Sequence, residues 1–268
     1  MNDYISASQI KTYLMCGRKY MHKYILGQKL PYASGALIRG KAIDETANDH
    51  FVEKSDKQSG KYDIGLEKND FIDLAVNNHD TIANEDTPED WNKEKDISRD
   101  KTASFANLYH GSHGKDLKAK DKDSVQQEIL VELNFPETDS YDEKKVNLKG
   151  YIDLISDKNV VVDNKVSGKN SFKFLNRNLQ MVLYSLATGL KDVAIALIQD
   201  KKVPESHYIP AKINDMAIAS TSQRLRDVIN GIEKEVFLPA ESGSWVCSSK
   251  FCEFWYICDY GERAGKDK

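Results

Sequence analysis

The sequence predicts a mixed α/β fold in which helices flank a mixed central sheet. Two observations carry the prediction. Three segments with the two-residue period of β-strands follow one another between residues 125 and 166. A continuous apolar run at Val193–Ile198, typical of a strand covered on both faces, comes after a helical segment. Strands interleaved with helices in this order build a layered α/β domain.

The first elements along the chain are predicted helices. Ser6 with Gln9 three residues later is a capping-box pattern, and apolar residues then recur at helical spacing as far as Ile25. A second helical pattern runs from about Ala36 to Val52. Residues 53–123 are polar and charge-rich, and we interpret them as a peripheral, partly mobile helical insertion without a core of its own.

Three strands are predicted next, and their order is consistent with antiparallel pairing around turns rich in Asp, Lys and Asn. They lie at 125–135, 146–154 and 160–166. A helix from about Ser171 to Leu190 separates them from the apolar strand, and a long amphipathic helix runs from about Asn214 to Phe237. A tail rich in cysteine and aromatic residues follows, and we expect residues 1–268 to form a single domain.

Composition excludes several classes of protein. The 268 residues are 40% hydrophobic and 30% charged, which argues against general disorder. With 38 basic and 42 acidic residues the formal charge is −4, so only a local basic groove can attract nucleic acid. No apolar run reaches the roughly 18 residues that cross a bilayer, and the first residues lack the order of a signal peptide. We therefore expect a cytoplasmic protein without a membrane partner.

Asp153 and Asp163 are the most informative pair of residues. Each lies in a predicted strand, and adjacent antiparallel strands can bring such residues to about 5 Å from each other. Two carboxylates that face one space repel unless a proton or cation offsets them, and hard oxygen ligands select Mg²⁺ or Mn²⁺. Lys165 projects from the same strand face as Asp163. There it can orient or deprotonate a metal-bound water and offset charge on an attacked phosphate.

A turn at residues 163–165, with Asp153 on a solvated strand, is the alternative interpretation. However, Asp163 follows a run of three valines, where a carboxylate without a partner is costly. Its position therefore favours a metal site.

These strand residues resemble the PD-(D/E)XK nuclease superfamily, specifically its RecB-like branch. The motifs are Gly150-x-x-Asp153 and an apolar strand that ends in Asp163-Asn164-Lys165. The resemblance implies a restriction-endonuclease-like core in which Asp153 and Asp163 bind metal. It also implies that Lys165 is the catalytic lysine and that the Asn164 carbonyl is a further ligand.

Two further parts of the resemblance lie on helices. Gln180 and Tyr184 share one helix face, which in the family looks onto the active centre and the DNA strand, with ordinary surface polarity as the alternative. The family also has a metal-binding His four positions after a Gly on an early helix. Asp44 stands at that position here, and Glu45 or His50 is the alternative ligand.

The four cysteines can form one site of four thiolates, which suits a [4Fe–4S] cluster or Zn²⁺. They are Cys16, Cys247, Cys252 and Cys258. The spacing differs from that of a common zinc ribbon. In the RecB-like branch, one N-terminal and three C-terminal cysteines hold an iron–sulfur cluster, so the resemblance implies that residues 245–260 close on the first helix. Thiols that merely fill aromatic packing are the alternative.

Cations and aromatic rings on the first helix and in the segment after the third predicted strand are predicted to contact DNA, because this mixture suits single strands. The predicted contacts are Lys11, Arg18, Lys19, Tyr20, Lys169 and Lys173. A solvated basic face with core tyrosines is the alternative. The chain has no P-loop motif, so any unwinding needs a separate helicase or recombination protein.

Taken together, the resemblance implies a Mg²⁺- or Mn²⁺-dependent DNA exonuclease that acts on single-stranded ends in phage or bacterial recombination or replication. A phage-encoded enzyme of this kind would act in the host cytoplasm. End trimming of the CRISPR-adaptation type is an alternative within the same fold. An iron–sulfur DNA-binding module whose nuclease centre has decayed is an alternative of a different class.

Overall fold

The computed structural model describes residues 4–28, 35–57, 62–86, 92–135, 144–170, 172–241, 243–249 and 251–261. Its longer elements are α1 (Ala7–Met15), α2 (Gly17–Tyr20), α3 (Gly35–Ser55), α4 (Lys68–Asp86), α5 (Asn92–Tyr109), β1 (Val125–Phe135), β2 (Lys144–Ile155), β3 (Val161–Ser167), α6 (Leu179–Thr188), β4 (Asp192–Gln199), β5 (Glu205–Lys212) and α7 (Asp215–Glu233). No helix in the described ranges has the length and apolar character needed to cross a membrane.

The strands form one mixed sheet in the order β1-β2-β3-β4-β5. Strand β2 pairs antiparallel with β3, β3 pairs parallel with β4, and β4 pairs antiparallel with β5. The parallel step requires a crossover, which α6 supplies. The predicted mixed sheet with flanking helices and the antiparallel pairing of β2 with β3 are therefore confirmed.

Contacts divide the chain into two units. Unit 1 contains Met1–Leu30, Leu130–Gly150 and Asp215–Lys268, and unit 2 contains Pro31–Ile129 and Tyr151–Asn214. The main core of unit 2 lies where buried side chains of α3, α4 and α5 pack against those of the central strands. Buried side chains of this kind supply most of the free energy that favours folding.

The predicted peripheral position of residues 53–123 is wrong. Phe71 on α4, together with Phe105 and Tyr109 on α5, is fully buried in the same cluster as Val162 and Ala194 of the sheet. Each helix buries a narrow apolar stripe, and the many charges on its other faces hid that stripe in the sequence. Parts of this segment (58–61 and 87–91) lie outside the described residues, and its mobility stays a prediction.

In the second half of the chain, one helix was predicted with the wrong start and one strand was not predicted. Helix α6 begins only at Leu179, because the Asn178 side chain accepts hydrogen bonds from the first-turn N–H groups and so caps the helix there. The predicted start at residue 171 lies outside the described residues. Strand β5 was missed, because it is short, carries Pro210 and alternates between half-buried and exposed residues, as edge strands do.

The first helix of unit 1 begins as predicted and then breaks. Ser6 and Gln9 form the reciprocal capping box. The backbone becomes extended at Cys16, where φ is −165°, and the Cys16 thiol accepts from the Lys19 N–H at the start of α2. At Gly17 any Cβ would lie 2.7 Å from the Leu238 backbone nitrogen, so only glycine allows this approach.

Candidate active site

All the residues of the predicted carboxylate site belong to unit 2. The β2–β3 register pairs Leu154 with Val162 and Ile155 with Val161, and its continuation places Asp153 level with Asp163. Both carboxylates are buried, with Asp163 at 0% and Asp153 at 9% exposure. The strand pattern thus brings the two acids together, as predicted from the sequence.

Asn164 links three of the elements that build this site. Its backbone N–H donates to the Asp153 carboxylate at 2.7 Å, and its side-chain amide donates to Asp44 on α3 at 3.2 Å. Its side-chain oxygen accepts from the Tyr109 hydroxyl on α5 at 2.6 Å. The Asn164 backbone carbonyl remains a predicted ligand, whereas the backbone N–H holds the Asp153 carboxylate and the side-chain amide holds that of Asp44.

Asp163 lies between a cation and an amide. The Lys165 Nζ is 2.7 Å from one carboxylate oxygen, and the Gln180 Nε2 donates to the other at 2.7 Å. Gln180 also donates to the Tyr184 hydroxyl, which in turn donates to the Tyr151 carbonyl at 2.5 Å. The helix face of Gln180 and Tyr184 therefore lies against the carboxylates, and Tyr184 fixes the amide that holds Asp163.

The electrostatics of the site follow from burial and from like charges close together. Burial, followed by the charges of Asp163 and Asp44, raises the pKa of Asp153 well above its usual range. Burial also raises the pKa of Asp44 to about 6, although the Asn164 hydrogen bond and Lys165 oppose this shift. For Lys165, burial alone would lower the pKa, but the Asp163 and Asp153 carboxylates outweigh it and raise the pKa. Lys165 is therefore an ammonium at neutral pH.

The three residues left open on α3 separate clearly in the structure. Asp44 is bonded to Asn164, and Glu45 is exposed. His50 faces the core instead, where its Nε2 lies 3.1 Å from the Gly114 carbonyl and its Nδ1 accepts from the Leu66 N–H. Both ring nitrogens of His50 are thus occupied, which excludes it as a ligand in this conformation.

Two residues that adjoin the site were not found by sequence reasoning. Tyr109 lay in a segment interpreted as peripheral. Gln126 on β1 directs its side-chain amide to Asp44 at 3.4 Å. Its backbone has φ of +49°, a left-handed conformation that non-glycine residues rarely adopt and that recurs where a side chain must be re-aimed. No spacing pattern in the sequence predicts the Tyr109–Asn164 contact or the Gln126–Asp44 contact.

The donor chemistry of the carboxylate site fits a hard divalent cation. Asp44, Asp153 and Asp163 supply carboxylate oxygens, and a cation would offset the mutual repulsion that raises their pKa values. The side chains currently use these oxygens for the hydrogen bonds above. Within the part of the chain that the structure describes, no three His, Cys, Asp or Glu side chains already converge as a metal site.

The four cysteines line one cavity of about 220 Å³ in unit 1. All four are free thiols, and burial followed by the neighbouring thiols raises the pKa of Cys247. Aromatic rings, among them Phe254 and Trp255, form much of the wall. The donor set fits a soft metal or an iron–sulfur cluster, although the sulfurs do not yet converge.

His22 also lines this cavity, and sequence reasoning missed it. Its Nδ1 is 2.7 Å from the Gln28 side-chain oxygen, and its ring stacks on Phe254. Because an amide oxygen only accepts hydrogen bonds, Nδ1 is the donor in this contact. The histidine lies on a single π-helical turn, Met21–Ile25, that helical periodicity does not predict.

The predicted DNA contacts differ in their surroundings. Lys11, Lys169 and Lys173 are exposed, whereas Lys19 forms an ion pair with Glu253 at 2.6 Å. The guanidinium of Arg18 lies 5.2 Å from the ring centroid of Tyr260. Tyr20 is 5% exposed and packs against other aromatic rings, so no base can stack on it in this conformation.

Two buried carboxylates and a lysine thus lie on adjacent strands of a mixed sheet. The family model described as the PD-(D/E)XK nuclease superfamily matches residues 4–259. The chain therefore belongs to this superfamily and is a nuclease-family protein. The family typically uses divalent metal ions such as Mg²⁺.

One solved structure shows the same fold at low sequence identity. A "Putative exonuclease" from Eubacterium rectale is 13% identical, with a TM-score of 0.56 over 91% of this chain and 87% of that one. The crystal structure of SSO0001 is 12% identical, with a TM-score of 0.46 over 97% and 88% of the two chains. No curated protein matches the chain.

Proposed function

We propose that the protein is a metal-dependent DNA exonuclease that hydrolyses phosphodiester bonds at single-stranded ends. Membership of the nuclease superfamily supports the hydrolase activity. The exonuclease part rests on the name of one structural neighbour, and the single-strand preference rests on the exposed cations and aromatics. Recombination or replication, in a phage or a bacterium, is the biological role we infer.

The observation that carries the proposal is the environment of Asp163. This fully buried carboxylate is held between the Lys165 ammonium and the Gln180 amide, level with a second buried carboxylate at Asp153. A protein that needed only a stable core would gain by replacing such a group with an apolar one. Buried charges of this kind are typical of functional sites.

Each residue has a distinct part in the proposed mechanism. Asp153, Asp163 and Asp44 would hold Mg²⁺ or Mn²⁺, which supplies Lewis-acid activation of the phosphate and of the attacking water. Lys165 orients that water and stabilises negative charge on the attacked phosphate. Because Lys165 stays protonated at neutral pH, its raised pKa favours this electrostatic part over deprotonation of the water. Gln180 and Tyr184 hold Asp163 in position.

We also propose that the four cysteines bind a [4Fe–4S] cluster, with Zn²⁺ as the alternative occupant. The shared cavity and the free thiols support this assignment. Such a site would close a loop from Cys16 to residues 245–260 and so stabilise the chain as one nuclease domain with residues 53–123 inserted. The superfamily match across residues 4–259 is consistent with a single domain.

A time course on end-labelled single- and double-stranded DNA tests the nuclease proposal. Anaerobically purified wild type should degrade DNA with Mg²⁺ or Mn²⁺ and not with EDTA, and the product ladder should shorten from one end. Lys165→Ala should lose about 10²- to 10³-fold in rate, which is the usual effect of removing one charge-stabilising group. Lys158→Ala, an exposed lysine in the β2–β3 turn, is the matched control and should keep full activity.

Two results would contradict the proposal. Fixed-length internal products would show that the protein is an endonuclease and not an exonuclease. Metal-independent binding without any cleavage by the folded wild type would support the decayed DNA-binding module instead.

A further inference from the structure

We propose that a groove between the segment after β3 and the edge strand β5 binds single-stranded nucleic acid next to the carboxylate site. The inference deepens the proposed nuclease function and rests on it. The groove has a volume of about 620 Å³ and lies within unit 2. Its lining includes Phe172, Lys173, Asn176, Ile209, Pro210 and Lys212.

The sheet register places this groove on the same face as Asp163. Asp163 pairs with Ile195 on β4, and Ile195 pairs with Ile209 on β5. Directly paired residues project from the same face of a sheet, and neighbouring strands are about 4.8 Å apart. Ile209 therefore lies about 10 Å across the sheet from Asp163.

The chain connectivity independently places the groove next to the carboxylate site. The groove residues Phe172, Lys173, Leu175 and Asn176 belong to the segment that joins β3 to α6. Strand β3 carries Asp163 and Lys165, and α6 carries Gln180 and Tyr184. A nucleic-acid strand in the groove would therefore lie against the segment that connects the two halves of the site.

The chemistry of the groove matches a phosphate backbone. Lys173 is exposed. The Lys212 side chain is 73% exposed, and its Nζ lies 4.0 Å from a carboxylate oxygen of Asp192. An exposed pair at that distance contributes little, so Lys212 can exchange it for a phosphate. Among the described residues that line the groove, none is acidic.

Aromatic rings and amides beside these lysines favour a single strand over a duplex. Phe172 forms part of the wall, and Phe174, 64% exposed, has the Lys173 Nζ 5.7 Å from its ring centroid. Exposed rings stack on the faces of bases, which only unpaired strands offer freely. The Asn176 amide can both donate to and accept from base edges.

A peptide strand is the less suitable occupant of this edge. Added strands need a continuous row of backbone N–H and C=O groups. Pro210 has no N–H and interrupts that row on β5. The charges and rings described above contribute nothing to such pairing.

The test measures binding of metal-free protein to fluorescein-labelled oligo(dT) and to a duplex of equal length over a range of salt concentrations. For Lys173→Ala/Lys212→Ala, the slope of log affinity against log salt on oligo(dT) should decrease by about 1.4, since each phosphate contact contributes about 0.7. Phe174→Ala should weaken oligo(dT) binding about 5- to 100-fold and leave duplex binding unchanged. Lys122→Ala, in the turn before β1 at the opposite edge of the sheet, is the matched control.

The outcomes separate this inference from the nuclease proposal. If the groove variants bind and cut oligo(dT) as wild type does, the groove assignment is wrong and the nuclease stands. If wild type binds without cutting and the groove variants lose binding, the nuclease proposal fails and the groove stands. Wild type that binds no DNA overturns both, and equal losses on duplex and single strand overturn the single-strand preference.

Discussion

The carboxylate site and the cysteine cavity differ in how their side chains are held. In the carboxylate site, hydrogen bonds and an ion pair fix the acids, and Asn164 alone connects three elements. In the cysteine cavity, four free thiols share a space whose walls are largely aromatic. A polar network defines positions even without a ligand, whereas thiols in an aromatic wall depend on the bound group to define them.

Because of this difference, we expect substitutions in the two regions to affect different properties of the protein. The carboxylate site holds buried charges that cost stability and that suit catalysis. In the cysteine cavity the charged lining residue Lys19 pairs with the exposed Glu253, and the cavity joins residues more than 200 positions apart in sequence. We expect substitutions in the first region to remove activity while the fold survives, and substitutions in the second to remove stability.

The largest expected effect comes from Cys247→Ser. A crosslink that closes a loop of this length contributes about 5 kcal/mol in the chain-entropy model. Loss of the cluster should therefore lower the melting temperature by about 10–20 °C and abolish visible absorbance. Calorimetry and absorbance of anaerobic samples measure both, with exposed Ser249→Ala as the control. An unchanged melting temperature would show that the cysteine cavity does not stabilise the fold.

Asp163→Asn should give the opposite pattern. The amide keeps the shape of the side chain but loses the charge that faces Lys165, so the cleavage rate should fall about 10²- to 10³-fold. Because a buried charge disappears and Lys165 is 38% exposed to solvent, the melting temperature should fall little or rise. Rates and melting curves on the same preparation decide it. A fall in melting temperature as large as that of Cys247→Ser would contradict the contrast.

His50 should make the protein less stable in acid. Burial lowers its pKa to about 4, below the value near 6.5 of the unfolded chain. The unfolded state therefore takes up the proton first, and stability is lost as the pH falls from about 6.5 towards 4. Between pH 7.5 and 5 the loss should be about 2 kcal/mol. Urea unfolding at both pH values should show a smaller pH dependence for His50→Gln than for wild type.

Asp44 should give the smallest effect, with the opposite sign. Its folded pKa of about 6 exceeds the unfolded value of 3.8, so the folded state binds the proton more tightly and gains stability as the pH falls through 6. From pH 7.5 to 5.5 in EDTA this gain is about 1 kcal/mol. Asp44→Asn should remove it, which the difference between the two urea series measures. If Mg²⁺ does not reduce this pH dependence in wild type, Asp44 is not a ligand.

Local patterns made much of the fold predictable. Alternating residues identified three strands, a continuous apolar run identified a fourth, and the capping box at Ser6 located the first helix, because each pattern depends on neighbours in sequence. The spacing of Asp153, Asp163 and Lys165 placed these residues together for the same reason. Strand β5 and the buried stripes of α4 and α5 were missed, since their patterns are weak without the sheet and core they pack against.

The sequence by itself determined the family, the acids and lysine on β2 and β3, and the number of thiols. Only the tertiary structure decided which α3 side chain faces the site, because the Asp44–Asn164 contact joins residues 120 positions apart. It also decided that Tyr109 and Gln126 adjoin the acids and that His22 joins the cysteines. Periodicity fixes the direction of a side chain relative to its own element, whereas packing between distant elements fixes what that side chain meets.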